Sequence, residues 1–408
     1  MSAPSAAQGL IRDAEIEHTI RAYATPLLRA ASLVPEDVNF HLLRSPELNA
    51  FVARGQRIFL STGLLMRSEH PGQIIGVIAH EIGHITGGHL ARLEGAISDA
   101  EDQALIGSII GIAIGVLAGD SGAGAAGSAK AQDIALQNLL KFSRTQERSA
   151  DQVAVNLLDQ TQTSAKGLLE FFEVLQDQEL LHRSRQDSYV ITHPLTQDRI
   201  AFMEDHVAKS RYSNAVIPAA IKAEHDRMTA KVAGFLNPTS KTLRDYKVDD
   251  PSVAARYARS IAYYRDANLK EALPLIDSLI AQMPDDPWFL ELKGQMLFEN
   301  ARGAEALPFY QKSVDLRPNE PLLRVGLAHV LIELDGPGMS QKAEVHLKQA
   351  LRRERYMPIA WRLAAITYGR NGELGLSALS LAEYNLLTGR PFDAMGQAKK
   401  AIRLLKEG

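Results

Sequence analysis

The sequence predicts a mostly α-helical chain of two domains, the second of them an α-solenoid. Three observations predict this. Two histidines four positions apart, His80 and His84, lie in an apolar stretch with helical spacing. Small residues and prolines in the second half recur every 34 residues. At 408 residues, the chain also exceeds what one hydrophobic core usually supports.

The stretch Gln73 to Glu94 reads as one helix, with Ile74, Ile75, Val77, Ile78, Ile82 and Ile85 as its apolar face. Inside it stands His80-Glu81-Ile82-Gly83-His84. Histidines four apart project from one helical face about 6 Å apart along the axis, so both imidazoles reach one tetrahedral metal ion. Glu81, one position on, leans to the side where a metal-bound water would sit, which is where a general base belongs. The competing reading is a pair of core histidines hydrogen-bonded to neighbours.

A catalytic zinc site keeps three protein ligands and one open position. One class of such sites takes a third histidine six residues after the second, but position 90 is Leu90. His89 is turned about 140° around the helix from His84, which predicts a place behind the ligands or on the surface. The remaining choice is a carboxylate: Glu94, Glu101 or Glu147. Around Glu147, Phe142, Ala150, Val153, Leu157 and Leu158 form a stripe at helical spacing, and Glu147 and Asp151 fall four apart on one side. Such a pair can put Glu147 on the metal and Asp151 on the far ring nitrogen of a ligating histidine. Spacing alone equally allows a solvated acidic face.

His80-Glu-x-x-His84 with Glu147-x-x-x-Asp151 resembles the peptidase family of the CAAX prenyl protease and the HtpX heat-shock protease. Two further segments are similar to that family: Asn49-Ala50-Phe51, leading through Arg57 to Leu65 as strand and helix entry, and Thr192-His193-Pro194-Leu195 with Arg199. Ala53-Arg54-Gly55-Gln56 stands where family members often show Gly-Gly, which touches only the hairpin. The resemblance implies one zinc ion per chain held by His80, His84 and Glu147, with Glu81 as general base and Asp151 and Arg199 supporting the ligands from behind. It also places His193 over the metal, as a fourth ligand at rest or a transition-state hydrogen-bond donor. Asn49, Ala50 and Phe51 would bind substrate, the segment from Asn49 to Leu60 holding it as an added strand.

In the second half, Ala272 and Ala306, Pro284 and Pro318, and Pro287 and Pro321 are each 34 apart. That period, with small residues where paired helices approach and proline after the second helix, is the tetratricopeptide signature. Gly294, Ala306, Tyr310 and Pro318 occupy the expected positions of one repeat, and Asp335-Gly336-Pro337-Gly338 interrupts the spacing. Trp361, Tyr368, Ala382, Ala394 and Ala401 continue it. About four helical hairpins are expected between Ser252 and Leu405. Such solenoids expose a concave face that binds extended or partly folded polypeptide.

The predicted fold class is therefore mostly α: a zincin-type α+β metallopeptidase domain with a small sheet over residues 1–240, then an α-solenoid of tetratricopeptide repeats over 252–405. A net charge of -3 offers no basic patch for nucleic acid, and the absence of cysteine excludes a disulfide framework or a thiolate metal site. Residues 104–119 are 16 in a row without charge, too short and Gly-interrupted for a span, and read as an apolar flap or a peripheral membrane contact.

No signal peptide is visible, and Met1-Ser-Ala-Pro-Ser-Ala-Ala resembles a start placed on the remnant of a removed signal. Peptidase and repeats together narrow the resemblance to a periplasmic branch of the family. That branch implies an endopeptidase cutting stalled or misassembled outer-membrane proteins near the barrel-assembly machinery. The alternative is a chaperone-like scaffold with a closed, idle zinc site.

Overall fold

The structure is a computed structural model that describes residues 9–53, 56–89, 144–179, 187, 189 and 192–407. The described residues form two compact units, one ending at Ala233 and one starting at Gly234.

The first unit holds a four-stranded sheet of Leu10–Ile11 (β1), Asn39–Leu43 (β2), Ala50–Ala53 (β3) and Arg57–Ser61 (β4), in the order β1-β2-β4-β3. β2 and β4 run parallel, and the other pairs are antiparallel. β4 is the buried centre: Ile58 and Leu60 are fully covered. β3 is an edge, pairing Ala50 with Leu60 and Val52 with Ile58 on one side and no strand on the other among the described residues. Gln56 takes a left-handed φ of 56° in the turn between β3 and β4, while Arg54 and Gly55 lie outside the described residues.

Ser61 joins this sheet to the helices. Its hydroxyl caps Thr62–Arg67 (α2) by accepting from Leu64 N–H, accepts from Asn49 N–H and donates to the Glu47 carbonyl. The start of the edge strand and the start of α2 are thereby held by one side chain.

Pro71–Thr86 (α3) is the central helix. His70 caps it and Pro71 opens it, with a φ already suited to the first turn. It is buried from Pro71 to His84, which its isoleucine and valine content explains. The sequence predicted a helix running on to Glu94, but α3 ends at Thr86. The Gly87 N–H returns to the Gly83 carbonyl, and Gly88 then adopts a φ of +60°, which glycine takes at no steric cost.

Ala14–Ala30 (α1), Arg144–Gln160 (α4) and Lys166–Glu179 (α5) pack around α3. Glycines allow the closest approaches: a methyl group on Gly76 would stand 2.7 Å from Leu168 Cβ, and one on Gly83 2.7 Å from the Ala150 carbonyl oxygen. Gln197–Lys209 (α6) lies against α4 and α5. Ala219–Leu236 (α7) is tied to the start of α1 by Lys231, whose ammonium lies 2.8 Å from Asp13 and 3.2 Å from Glu15.

The second unit is an α-solenoid of antiparallel hairpins. After the short helix Thr239–Asp245 (α8) come Val253–Arg265 (α9) with Leu269–Gln282 (α10), then Pro287–Phe298 (α11) with Gly303–Leu316 (α12). Pro321–Leu334 (α13) pairs with Met339–Arg353 (α14), Pro358–Arg370 (α15) with Leu374–Leu387 (α16), and Pro391–Glu407 (α17) packs on α16. The recurring prolines open α11, α13 and α15, where the missing N–H costs nothing. The Asp335–Gly338 insertion is a turn with two left-handed residues, Asp335 and Gly338. Tyr310 fills the seam between repeats, and glycines make its room: a methyl group on Gly294 or Gly326 would stand 2.7 Å from its ring.

Among the described residues, no helix is long and apolar enough to cross a membrane. The apolar segment 104–119 and the candidate carboxylates Glu94 and Glu101 lie outside the described residues.

Candidate metal centre

His80 and His84 leave α3 on the same side. Their Nε2 atoms are 3.1 Å apart, with the ring planes nearly perpendicular. α4 carries Glu147 against them: its Oε2 is 3.4 Å from His80 Nε2 and its Oε1 3.4 Å from His84 Nε2. The turn before α6 adds His193, whose Nδ1 is 3.2 Å from Glu147 Oε1. One donor atom from each of His80, His84, Glu147 and His193 lies within 4.8 Å of the others, and all four residues are buried. The acidic helix face that spacing had left as an alternative for Glu147 and Asp151 is thus turned inward, since neither residue is exposed.

Behind the donors lies a layer of fixed charge. Asp151 Oδ1 is 2.9 Å from His80 Nδ1, which leaves Nε2 to face the cluster. Arg199 places Nη1 2.8 Å from Glu147 Oε2 and grips Asp151 at 2.6 and 2.9 Å. The same guanidinium donates to the Pro194 carbonyl and lies 4.9 Å from the centre of the Phe172 ring. It therefore holds both carboxylates and the turn that carries His193. Burial alone would raise both acids, but His193 and Arg199 hold Glu147 well below the ordinary carboxylate range, and Arg199 with His80 holds Asp151 below it.

Glu81 differs. Burial raises its carboxyl above the ordinary value, with His193 and His80 only partly opposing. Both its oxygens are buried without a hydrogen-bond partner among the described residues, and His193 Nε2 stands 3.7 Å from Oε1. A buried acceptor pair with nothing to bind is costly unless a further group belongs there. Two facing imidazole nitrogens, a carboxylate between them and this orphaned acceptor fit a divalent cation with a bound water.

Asn49, Ala50 and Phe51 are not part of the donor cluster. Asn49 leads into the edge strand β3, which Ala50 and Phe51 open and which packs against α3. Phe51 stacks on Phe59 across the strand pair at 4.8 Å, and Asn49 Oδ1 is buried without a hydrogen-bond partner among the described residues.

Two further residues touch the cluster, His89, which the sequence places behind the ligands or on the surface, and Tyr189, which it does not single out. His89 is buried with its Nδ1 2.9 Å from His84 Nδ1. Tyr189 stacks on His193 at 4.5 Å, and its backbone bonds both the Leu48 carbonyl and the His193 N–H. Its position four residues before His193 was the only available signal.

A helix-borne His-Glu-x-x-His completed by an acid from a second helix is the arrangement of the metallopeptidases, and this chain is a metalloprotease. Residues 11–207 match the model of peptidase family M48. Over 418 residues it is 26% identical to the beta-barrel assembly-enhancing protease of Yersinia pestis, covering 98% of this chain and 82% of that protein. Over 175 residues it is 27% identical to the metalloprotease YcaL of Escherichia coli (strain K12), covering 43% and 64%. Among solved structures, the tetratricopeptide protein YrrB is similar with a TM-score of 0.35 and 19% identity, covering 44% of this chain and 92% of that one.

Proposed function

We propose that this protein is a zinc-dependent endopeptidase of outer-membrane protein quality control in the periplasm. The observation that carries the reading is the buried cluster of His80, His84 and Glu147, with the Glu81 carboxylate beside it, which has no hydrogen-bond partner among the described residues. In this reading His80, His84 and Glu147 hold one zinc ion per chain, which when bound polarises a scissile carbonyl and acidifies water. Glu81 takes a proton from the attacking water and passes it to the leaving amine, a task suited to a carboxyl raised by burial. Asp151 fixes the ring of His80, and Arg199 neutralises the two acids so that both stay ionised in the interior. His193 either completes the donor set at rest or donates to the developing oxyanion.

The edge strand β3, with Asn49, Ala50 and Phe51, holds an extended substrate by main-chain hydrogen bonds. Residues 1–240 serve as the peptidase part, and the repeats over 252–405 recruit unfolded or misassembled polypeptide or a component of the barrel-assembly machinery. The names of the relatives matched along nearly the whole chain support that setting.

The rival reading, a chaperone-like scaffold with an idle site, draws on the fourth donor, His193. Metal analysis with cleavage of an unfolded outer-membrane barrel protein by the purified chain, compared with Glu81→Gln, separates the two. Zinc-loaded protein that does not cut, or cuts as well with Glu81→Gln, overturns the proposal.

A further inference from the structure

α17 packs on α16 through one side, where Ala394 and Ala401 are buried. On the other side Phe392 is 83% exposed, Met395 52% and Ile402 56%. At about 100° per residue, these three and the exposed Lys399, Arg403 and Lys406 fall within an arc of about 100°. Asp393 lies outside that arc, about 80° beyond Arg403. The outer face of α17 is thus a stripe of large apolar side chains interleaved with three cations.

This pattern differs from the seams inside the solenoid. Those are made of small and aromatic residues, as where Tyr310 sits between Gly294 and Gly326 and Ala306 is buried. A cation in such a seam would have to give up its water. Pairing of the stripe with a second copy is also unfavourable, because a two-fold contact opposes the same three cations. A partner that takes apolar side chains and supplies spaced negative charge is needed.

We propose that this face of α17 docks on an anionic lipid bilayer. The helix is 17 residues, about 25 Å, and lies in the plane of the interface. Phe392, Met395 and Ile402 enter the boundary between headgroups and acyl chains, while Lys399, Arg403 and Lys406 pair with lipid phosphates. This would hold the repeats at a membrane surface without a spanning segment.

The test is cosedimentation of the full chain with vesicles of phosphatidylcholine alone or with about a third phosphatidylglycerol. Binding is expected to the anionic vesicles, weakened by about 0.5 M salt, which cuts the screening length roughly twofold from its physiological value of about 8 Å. Replacing Lys399, Arg403 and Lys406 by Gln should weaken it on the order of 100-fold. Phe392→Ser with Ile402→Ser should abolish it, and both variants should keep the helical circular dichroism and peptide cleavage of the parent. No binding by the parent, or equal binding by the variants, overturns the proposal. Light scattering that shows a dimer lost in the same variants would assign the face to a second copy, and capture of an acidic peptide in place of vesicles would assign it to protein.

Discussion

Gly83 on α3 lies directly against the backbone of Ala150 on α4, so close that a methyl group on Gly83 would stand 2.7 Å from the Ala150 carbonyl oxygen and 2.8 Å from its Cα. Glu147 is one turn before Ala150, so this contact sets its distance from His80 and His84. Gly83→Ala must push the helices apart at backbone atoms that cannot rotate away. We expect a loss of about 1–3 kcal/mol in urea unfolding together with reduced zinc content after dialysis. Full zinc occupancy at parental stability would show that the approach does not position Glu147.

Glu81→Gln should keep metal and fold while lowering kcat by about 100-fold or more, since it removes a proton acceptor and no ligand. Cleavage of a flexible peptide at matched zinc content is the measurement. Parental turnover would remove Glu81 from the proton-transfer role.

Glu147→Ala should lower zinc occupancy sharply, whereas Arg199→Leu should act mainly on stability. Without the guanidinium, Glu147 and Asp151 remain as buried carboxylates whose cation is gone, a loss of about 3–5 kcal/mol in metal-free protein. Calorimetry on chelated samples decides it, and unchanged melting of Arg199→Leu would mean that the carboxylates have another cation.

His225, in α7, is buried with its Nε2 3.2 Å from the Ser68 carbonyl, and burial lowers its pKa below the ordinary 6.5. The folded state therefore resists a proton that the unfolded chain accepts. This contribution is intact above pH 6.5 and is lost as the pH falls from there toward the lower folded value. Unfolding free energies measured between pH 7.5 and about 5 should fall less steeply in His225→Gln than in the parent, whatever its stability at neutral pH. Equal slopes would exclude His225 as a source of acid sensitivity.

Tyr310→Ala should destabilise the solenoid by about 3–5 kcal/mol, because both Gly294 and Gly326 are shaped to its ring and neither neighbour can fill the space. Circular dichroism on heating measures this. A shift under 1 kcal/mol would mean that the seam closes over the gap.

The features that depend on residues close in sequence were legible without coordinates. Helical periodicity places His80, Glu81 and His84 on a buried face, and the 34-residue recurrence of Ala and Pro defines paired helices, because both follow from backbone geometry within one or two turns. Other choices belonged to tertiary structure. Spacing could not decide between a buried and a solvated Glu147, since that depends on which face of α4 meets α3, and the contact of Gly83 with Ala150 turns Glu147 inward. The end of α3 at Thr86 was misread as Glu94 because the apolar pattern continues past it, whereas Gly87 and Gly88 turn the chain and bring His89 back onto His84. The stacking of Tyr189 on His193 and the grip of Arg199 on Glu147 and Asp151 join segments distant along the chain. Residue identity restricts what such groups can bond, but only the packing of α3, α4 and α6 decides which of them meet.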